Sequence, residues 1–183
     1  MSSYSIAYHK GDASNPQSST VFKYFPNIEQ SFKEKRIIVH ICNNIGVWGA
    51  GFVLALSRRY NEPGFDPEDA YLQWSQIKDK NSPFKLGEVQ FVKVAPGICV
   101  ANCVAQHDVG RGEPDGKGGF IPPIRYEYLD TCLKKIAIKN KDWQASIHMP
   151  RIGCGLAGGN WAMVEPIITK NLSNFPVIVY DLP

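Results

Sequence analysis

Two glycine-rich stretches place backbone amides where they can bind an anion. Residues 42–51 contain three glycines and residues 153–159 contain four. Glycine has no Cβ, so successive N–H groups can turn toward a ligand, and a following helix N-terminus adds partial positive charge. The second stretch has no Lys, Ser or Thr and is therefore not a P-loop. The alternative is that the glycines serve only the geometry of tight turns.

Each glycine stretch lies between a predicted strand and a predicted helix. The β-branched run at 37–41 predicts a strand buried on both faces, and residues 52–60 carry apolar side chains at helical spacing. The second stretch follows the apolar run 147–149 and ends at Asn160, a good N-cap residue. Ligands of open α/β sheets bind at the carboxyl ends of strands, so two such loops at one sheet edge can hold a diphosphate between them.

The rest of the chain predicts further strands and helices in alternation. Additional strands are expected at residues 4–8, 89–94, 98–104 and 177–181, with the pair 89–94 and 98–104 forming a hairpin. Helices are expected after the Asp66 cap, over 126–136 and after Asn160, where Pro166 predicts a kink or a late start. The order predicts an α/β fold with helices on both faces of a mixed sheet.

Two segments carry weaker patterns. Residues 13–36 are interpreted as an insertion, a long connection with one short helix near 28–33. Residues 106–120 form a long glycine-rich loop, and such loops are often functional lids and otherwise disordered. At 183 residues the chain is most simply one domain spanning 1–183.

Composition excludes several classes of protein. The net charge of +3 is too small to indicate nucleic-acid or membrane binding by electrostatic field alone. The absence of an apolar leader and the five scattered cysteines, which form no CxxC, predict a cytoplasmic protein without disulfides or a metal site. Cys99 and Cys103 are expected as small buried residues, and His40 and His148 as core histidines. No cofactor is expected.

The motifs resemble those of the macro domain family, in the same order along nearly the whole chain. They are GDAS at 11–14, HICN at 40–43, WGAG at 48–51, IGCGLAGG at 152–159 and VYDL at 179–182. Several of these motifs resemble those of one branch of the family. That branch contains terminal ADP-ribose protein glycohydrolase, DNA ADP-ribosyl glycohydrolase and the yeast-type ADP-ribose-1''-phosphate phosphatase. The resemblance implies a three-layer α/β/α fold with a central mixed β-sheet.

The ligand implied by this resemblance is ADP-ribose. Asp12 would accept a hydrogen bond from the adenine amine, although a turn residue is the alternative. Asn43 would bind a hydroxyl of the distal ribose, or else fix the corner between strand and loop. Trp48 and Trp161 would flank the distal ribose, or else belong to the core. The residues expected to bind the ligand are Asp12, Ala13, Asn43, Trp48, Gly49, Ala50, Gly51, Phe52, Gly153, Cys154, Gly155, Leu156, Ala157, Gly158 and Leu182.

The catalytic residues of the resembling branch are changed. Its lysine position is Gln106 here, and the acidic position of the second loop is Ala157. Neither residue can form an imine, so a covalent lysine mechanism does not carry over. The candidates that remain near the distal ribose are Asn43, Asn44, His107, Asp108 and Arg111, of which Asn43, His107 and Asp108 are the predicted catalytic residues. His107 would act as a general acid or base toward a water, or else be a solvated loop residue. Asp108 would orient His107 or act itself, or else cap a turn. Neighbours on an extended segment point in opposite directions, so at most one of His107 and Asp108 is expected to face the ligand.

Three functions follow from these residues. The preferred one is metal-independent hydrolysis at the distal ribose of an ADP-ribose derivative, either ADP-ribose-1''-phosphate or an ester-linked ADP-ribosyl group. The second is a reader that binds ADP-ribose without turnover. The third, a nucleotide-binding regulator or flavoprotein-like domain, is disfavoured because the chain has no GxGxxG. The expected protein is a monomer without membrane contact, with ADP-ribose, or ADP-ribosylated protein or nucleic acid, as its partner.

Overall fold

A computed structural model describes residues 3–81 and 83–183 of the chain. The strands are β1 (Ala7–Lys10), β2 (Arg36–Asn43), β3 (Val89–Ala95), β4 (Ile98–Gln106), β5 (Glu113–Pro114), β6 (Phe120–Ile121), β7 (Ser146–Pro150) and β8 (Val177–Asp181). The helices are α1 (Ser18–Tyr24), α2 (Ser31–Glu34), α3 (Phe52–Arg59), α4 (Pro67–Gln76), α5 (Tyr126–Trp143) and α6 (Trp161–Leu172).

Six strands form the central sheet in the order β1-β8-β7-β2-β4-β3. The first five are parallel to their neighbours, and only β3 runs antiparallel, in a hairpin with β4. The mixed sheet is therefore as predicted. Because β1, β8, β7, β2 and β4 are parallel, their carboxyl ends meet at one edge of the sheet.

Helices cover both faces of this sheet. One core contains buried side chains from α1, α2, α5 and α6, and the other contains those from α3 and α4. Strand β2 contributes Ile37 and Val39 to the first core and Ile38 to the second, all with no exposed surface. This alternation explains why its sequence is an unbroken apolar run. The three-layer α/β/α architecture is confirmed.

Several elements differ from the sequence-based expectations. Strand β1 begins at Ala7 rather than at residue 4, and residues 13–36 contain two short helices, α1 and α2, instead of one. The loop 106–120 contains the two-stranded pairing of β5 with β6. Helix α6 passes through Pro166 and starts directly after Asn160, whose side chain accepts a hydrogen bond from the Ala162 amide at 2.9 Å, so the late start was wrong. At Pro166 the helix lacks one N–H donor, which would otherwise bond to the carbonyl four residues earlier.

The buried polar residues behave as predicted. Cys99 and Cys103 are buried. His40 and His148 are also buried, and desolvation lowers their pKa values to about 4 and about 3 respectively. His148 contacts the Ser146 and Tyr180 hydroxyls, both at 2.8 Å, which satisfies both ring nitrogens. Among the described residues, no helix has the length and apolar character needed to cross a bilayer.

Candidate functional site

A groove made of three adjoining cavities lies at the carboxyl ends of the five parallel strands. The edge cavity, of about 460 Å³, lies beside β1 and β8 and includes Asp12, Ala13 and Leu182. The central cavity, of about 270 Å³, lies between the two glycine loops. The far cavity, of about 540 Å³, lies beyond β2 and β4. Gly51 is shared by the first two cavities and Ala50 by the last two, so the three form one continuous groove.

Residues of both glycine loops line the central cavity. On one side, α3 begins at Phe52 without a side-chain cap, and the amides of Phe52 and Val53 donate to no group in the described part of the chain. On the other side, the same holds for the amides of Gly155, Leu156 and Ala157. Unpaired amides that converge at a helix N-terminus are suited to an anion. Both glycine loops therefore border one cavity, and anion binding there stays a prediction.

The glycines of the two loops have different roles. Gly51 has φ +82° and Gly153 has φ +73°, a region that favours glycine. A Cβ on Gly153 would also lie 2.3 Å from Ile124 Cδ1. Gly155 has neither constraint, because its φ is ordinary and nothing lies within 4 Å of its added Cβ position. Gly155 lines the central cavity, so its lack of a side chain leaves room for a ligand rather than shaping the turn.

Asp12 in the edge cavity is partly engaged by its own chain. Its Oδ1 accepts a hydrogen bond from the Ser14 amide at 2.9 Å, which is the turn role that was the alternative interpretation. Its Oδ2 lies 3.6 Å from Arg59 Nη2, and the side chain keeps 42% exposure. Because each carboxylate oxygen has more than one acceptor position, Asp12 can hold the turn and still accept from a ligand.

The side-chain oxygen of Asn43, which lines the far cavity, already accepts three hydrogen bonds from the protein. Oδ1 accepts from the Ile45 and Val47 amides at 3.2 Å each and from the Tyr71 hydroxyl at 2.9 Å. Nδ2 donates to the Val47 carbonyl at 2.5 Å, which leaves one N–H of that amide. Asn43 therefore fixes the corner between β2 and the first glycine loop, and it can offer the far cavity one donor.

His107 and Asp108, the other catalytic candidates, do not line the three cavities. The His107 ring lies between Asn44 Nδ2 and Glu113 Oε1, each at 3.0 Å, so both ring nitrogens have partners. Asp108 adopts φ +57°, and its Oδ1 accepts from the Val109 amide at 2.8 Å. The extended segment assumed in the sequence analysis thus ends at His107.

The polar side chains that do line the far cavity are Asn43, Gln106 and Arg111. Gln106 also lines the central cavity, so it lies where the central and far cavities meet. It is the residue that stands at the lysine position of the resembling macro domain branch. Trp48 lines the far cavity too, but it is only 8% exposed and donates through Nε1 to Ser57 Oγ at 2.7 Å, so it belongs mainly to the core.

Besides His107 and Asp108, three further residues proposed from the sequence lie outside the groove. Cys154 packs against the first core, and a Cβ on Gly158 would meet Pro122 Cβ at 2.9 Å, so these two shape the second loop. Trp161 lies at the start of α6, with its ring 6.3 Å from that of Tyr8. It does not flank the far cavity, because the N-terminus of α6 is turned toward β1.

Sequence reasoning missed Arg151, which lines the central cavity. Its guanidinium donates to both carboxylate oxygens of Asp181, from Nε at 2.6 Å and from Nη2 at 2.9 Å, and lowers the pKa of that carboxyl. It also lies 5.0 Å from the ring of Trp161 and 5.2 Å from that of Tyr8. The sequence signal that could have identified Arg151 is its position directly between β7 and the second glycine loop.

The chain is similar to several solved structures over most of its length. A Bacteroides thetaiotaomicron protein of unknown function is 43% identical, with 97% of this chain and 98% of that chain covered and a TM-score of 0.76. A macrodomain protein from Streptomyces coelicolor is 39% identical, with 97% and 99% covered and a TM-score of 0.71. DarTG from Thermosipho africanus, solved in complex with ADP-ribose, shares the fold at 16% identity, 85% and 40% coverage and a TM-score of 0.58.

Curated relatives add a second comparison. Two proteins named chromodomain-helicase-DNA-binding protein 1-like, from Mus musculus and Danio rerio, are 28% and 32% identical, but the chain spans only 18% and 14% of their length. ADP-ribose 1''-phosphate phosphatase from Lodderomyces elongisporus is 26% identical over 79% of this chain and 87% of that protein. No family model matches the chain.

Proposed function

Since the chain belongs to the macrodomain family, we propose that it binds ADP-ribose along the three-cavity groove. The adenine occupies the edge cavity, where Asp12 accepts from its amine. The diphosphate lies in the central cavity and the distal ribose in the far cavity. The observation that supports the proposal is that both glycine loops line the central cavity and carry amides without a partner among the described residues. Amides held in place by the fold bind an anion without losing further freedom.

Titration calorimetry with ADP-ribose, AMP and guanosine diphosphate ribose tests this assignment. ADP-ribose is expected to bind more tightly than AMP, which reaches only the edge cavity and part of the central cavity. The guanine analogue is expected to bind weakly, because guanine presents a carbonyl to Asp12 where adenine presents an amine. Equal affinity for the adenine and guanine ligands would contradict the placement of the base beside Asp12. Absence of heat with millimolar ADP-ribose would remove the binding proposal.

A second candidate function is hydrolysis of an ADP-ribose derivative at the distal ribose. Two observations favour it: a curated phosphatase relative, and three polar side chains, those of Asn43, Gln106 and Arg111, around the far cavity. In this proposal the free N–H of Asn43 and the amide of Gln106 orient a water, and Arg111 stabilises the developing negative charge. The substrate is ADP-ribose-1''-phosphate or an ester-linked ADP-ribosyl group. Binding without turnover is the alternative.

A phosphorus NMR time course with ADP-ribose-1''-phosphate separates hydrolysis from binding alone. A growing inorganic phosphate signal that is lost in Gln106→Ala supports the phosphatase. Shifted diphosphate signals without new phosphate identify a reader, or a hydrolase for the ester linkage, which ADP-ribosylated protein then tests.

His107→Ala tests the predicted acid–base role in the same assay. A general acid or base acts only in the chemical step, so its loss lowers kcat with little change in KM. A residue that only holds the binding loop raises KM when it is removed.

A further inference from the structure

We propose that Glu113 and Asn44 are positioning residues that hold segment 108–111 against the far cavity. They would thereby set the affinity for the distal half of the ligand. The inference rests on the proposed ADP-ribose site and assigns a purpose to His107 other than acid–base catalysis. Neither Glu113 nor Asn44 lines the groove.

One end of the arrangement is anchored in the body of the protein. The Arg125 side chain is 15% exposed, and its Nη1 donates to the Pro123 carbonyl at 3.2 Å. The Arg125 amide donates to the Ala105 carbonyl at 2.8 Å, which fixes the residue to the end of β4. From this anchor, Nη2 reaches Glu113 Oε2 at 3.0 Å. The β5–β6 hairpin is thus tied to the sheet through one carboxylate.

The second oxygen of that carboxylate holds His107. Glu113 Oε1 lies 3.0 Å from His107 Nε2, and His107 Nδ1 lies 3.0 Å from Asn44 Nδ2. Because a carboxylate only accepts and the Asn44 amide nitrogen only donates, the neutral ring has its proton on Nε2 and its lone pair on Nδ1. The lone pair that a general base would use is already engaged by Asn44.

Asn44 in turn holds the start of segment 108–111 by hydrogen bonding. Its Oδ1 accepts from the Asp108 amide at 2.9 Å, and Gln106 Nε2 donates to the Asp108 carbonyl, also at 2.9 Å. Asp108 has φ +57°, which L residues rarely adopt without contacts that favour it. Directly beyond this restrained residue, Val109, Gly110 and Arg111 line the far cavity. The position of these three residues therefore depends on Glu113 and Asn44.

The segment has few other restraints. Val109, Gly110 and Arg111 are exposed, and a Cβ on Gly110 would meet nothing within 4 Å. Arg111 has one described contact, its Cζ lying 5.7 Å from the Phe120 ring centroid on the same hairpin. A segment with few packed neighbours takes its position mainly from the hydrogen bonds at its base. Breaking those bonds is expected to free the segment without opening a core.

The test compares ADP-ribose with AMP in Glu113→Ala, Glu113→Gln and Asn44→Ala. ADP-ribose affinity is expected to fall by about three- to tenfold in the two alanine variants, while AMP affinity stays unchanged, since AMP does not reach the far cavity. Glu113→Gln keeps an acceptor for His107 and is expected to recover part of the loss. The matched control is Glu88→Ala, which removes an ion pair of 2.9 Å with Lys135 away from the groove and should change neither affinity.

Hydrogen exchange of the Asp108 amide, which donates to Asn44 Oδ1, provides a readout that needs no ligand. Faster exchange in Glu113→Ala than in the wild type and in Glu88→Ala supports the inference. Unchanged exchange, or an equal loss of AMP and ADP-ribose affinity, overturns it. If the wild type binds no ADP-ribose, the proposed function fails, whereas the exchange comparison still decides whether Glu113 holds the segment.

Discussion

At the scale of single residues, Gly155 is a position where a substitution can weaken ligand binding without destabilising the fold. Its neighbours Gly153 and Gly158 have positive φ angles and close contacts, so replacing either would strain the loop. Gly155 has an ordinary backbone conformation and open space at its Cβ position, and it faces the central cavity.

We therefore expect Gly155→Val to leave the free energy of unfolding unchanged while ADP-ribose affinity falls by about thirtyfold, or about 2 kcal/mol. The added side chain fills space that the diphosphate would occupy. Calorimetry and urea unfolding measure the two quantities. The matched control is Ala162→Val, at an exposed position on α6 outside the groove, which should leave the affinity unchanged and cost at most about 0.5 kcal/mol of stability. Wild-type affinity in Gly155→Val would mean that the diphosphate lies elsewhere.

At the scale of elements, α4 supports the far cavity from the core that it shares with α3. The hydroxyl of its buried Tyr71 lies 2.8 Å from the Asn43 carbonyl and 2.9 Å from Asn43 Oδ1, and it shares its one proton between these two acceptors. Burial raises the pKa of Tyr71, so the hydroxyl stays neutral and remains a donor. The helix thus fixes the residue that shapes the first glycine loop.

Tyr71→Phe is expected to lower both the stability, by about 1.5 kcal/mol, and the ADP-ribose affinity, because a buried acceptor loses its donor. The control is Asp66→Ala on the same helix. Its carboxylate caps α4 by accepting from the Glu68 amide at 2.8 Å and the Asp69 amide at 3.2 Å. Removing this cap should cost about 1 kcal/mol of stability without changing the affinity. Equal binding losses in the two variants would indicate a general loosening of α4.

Elements with strong periodicity were predictable, and elements stabilised by a few contacts were not. Strand β2 and helix α3 follow from unbroken apolar or helical spacing. In contrast, α1 buries only Thr20 and Val21 and has no side-chain cap, and β5 and β6 have two residues each. The second glycine loop was identified from local sequence. The orientation of His107 was not, because it depends on Asn44, which is 63 positions away, and on Glu113 in a hairpin that the sequence did not predict.

At the scale of the whole molecule, two buried histidines make stability depend on pH. Desolvation lowers the pKa of His40 to about 4 and that of His148 to about 3, against about 6.5 in an unfolded chain. Both rings are neutral in the folded protein. Between pH 6.5 and pH 4 the unfolded chain therefore binds more protons than the folded one, and the stability present above pH 6.5 is lost as the pH falls.

The unfolding free energy is expected to decrease by up to about 1.4 kcal/mol per pH unit for each histidine in this window. Urea unfolding at pH 7, 6 and 5 measures the slope. His148→Gln, which keeps polar contacts for Ser146 and Tyr180, should remove about half of it. A stability that stays constant from pH 7 to pH 5 would contradict neutral burial of these rings.

The pairing of β1 with β8 determines when the groove can be completed during synthesis. Ala7 pairs with Ile178, so the first strand acquires its only sheet neighbour within the described chain after almost all other elements have been made. The edge cavity is built from residues that follow these two strands, including Asp12 and Leu182. A nascent chain can therefore assemble both glycine loops while it still lacks the base-binding end. Recognition of the adenine would be the last property that the protein acquires as it folds.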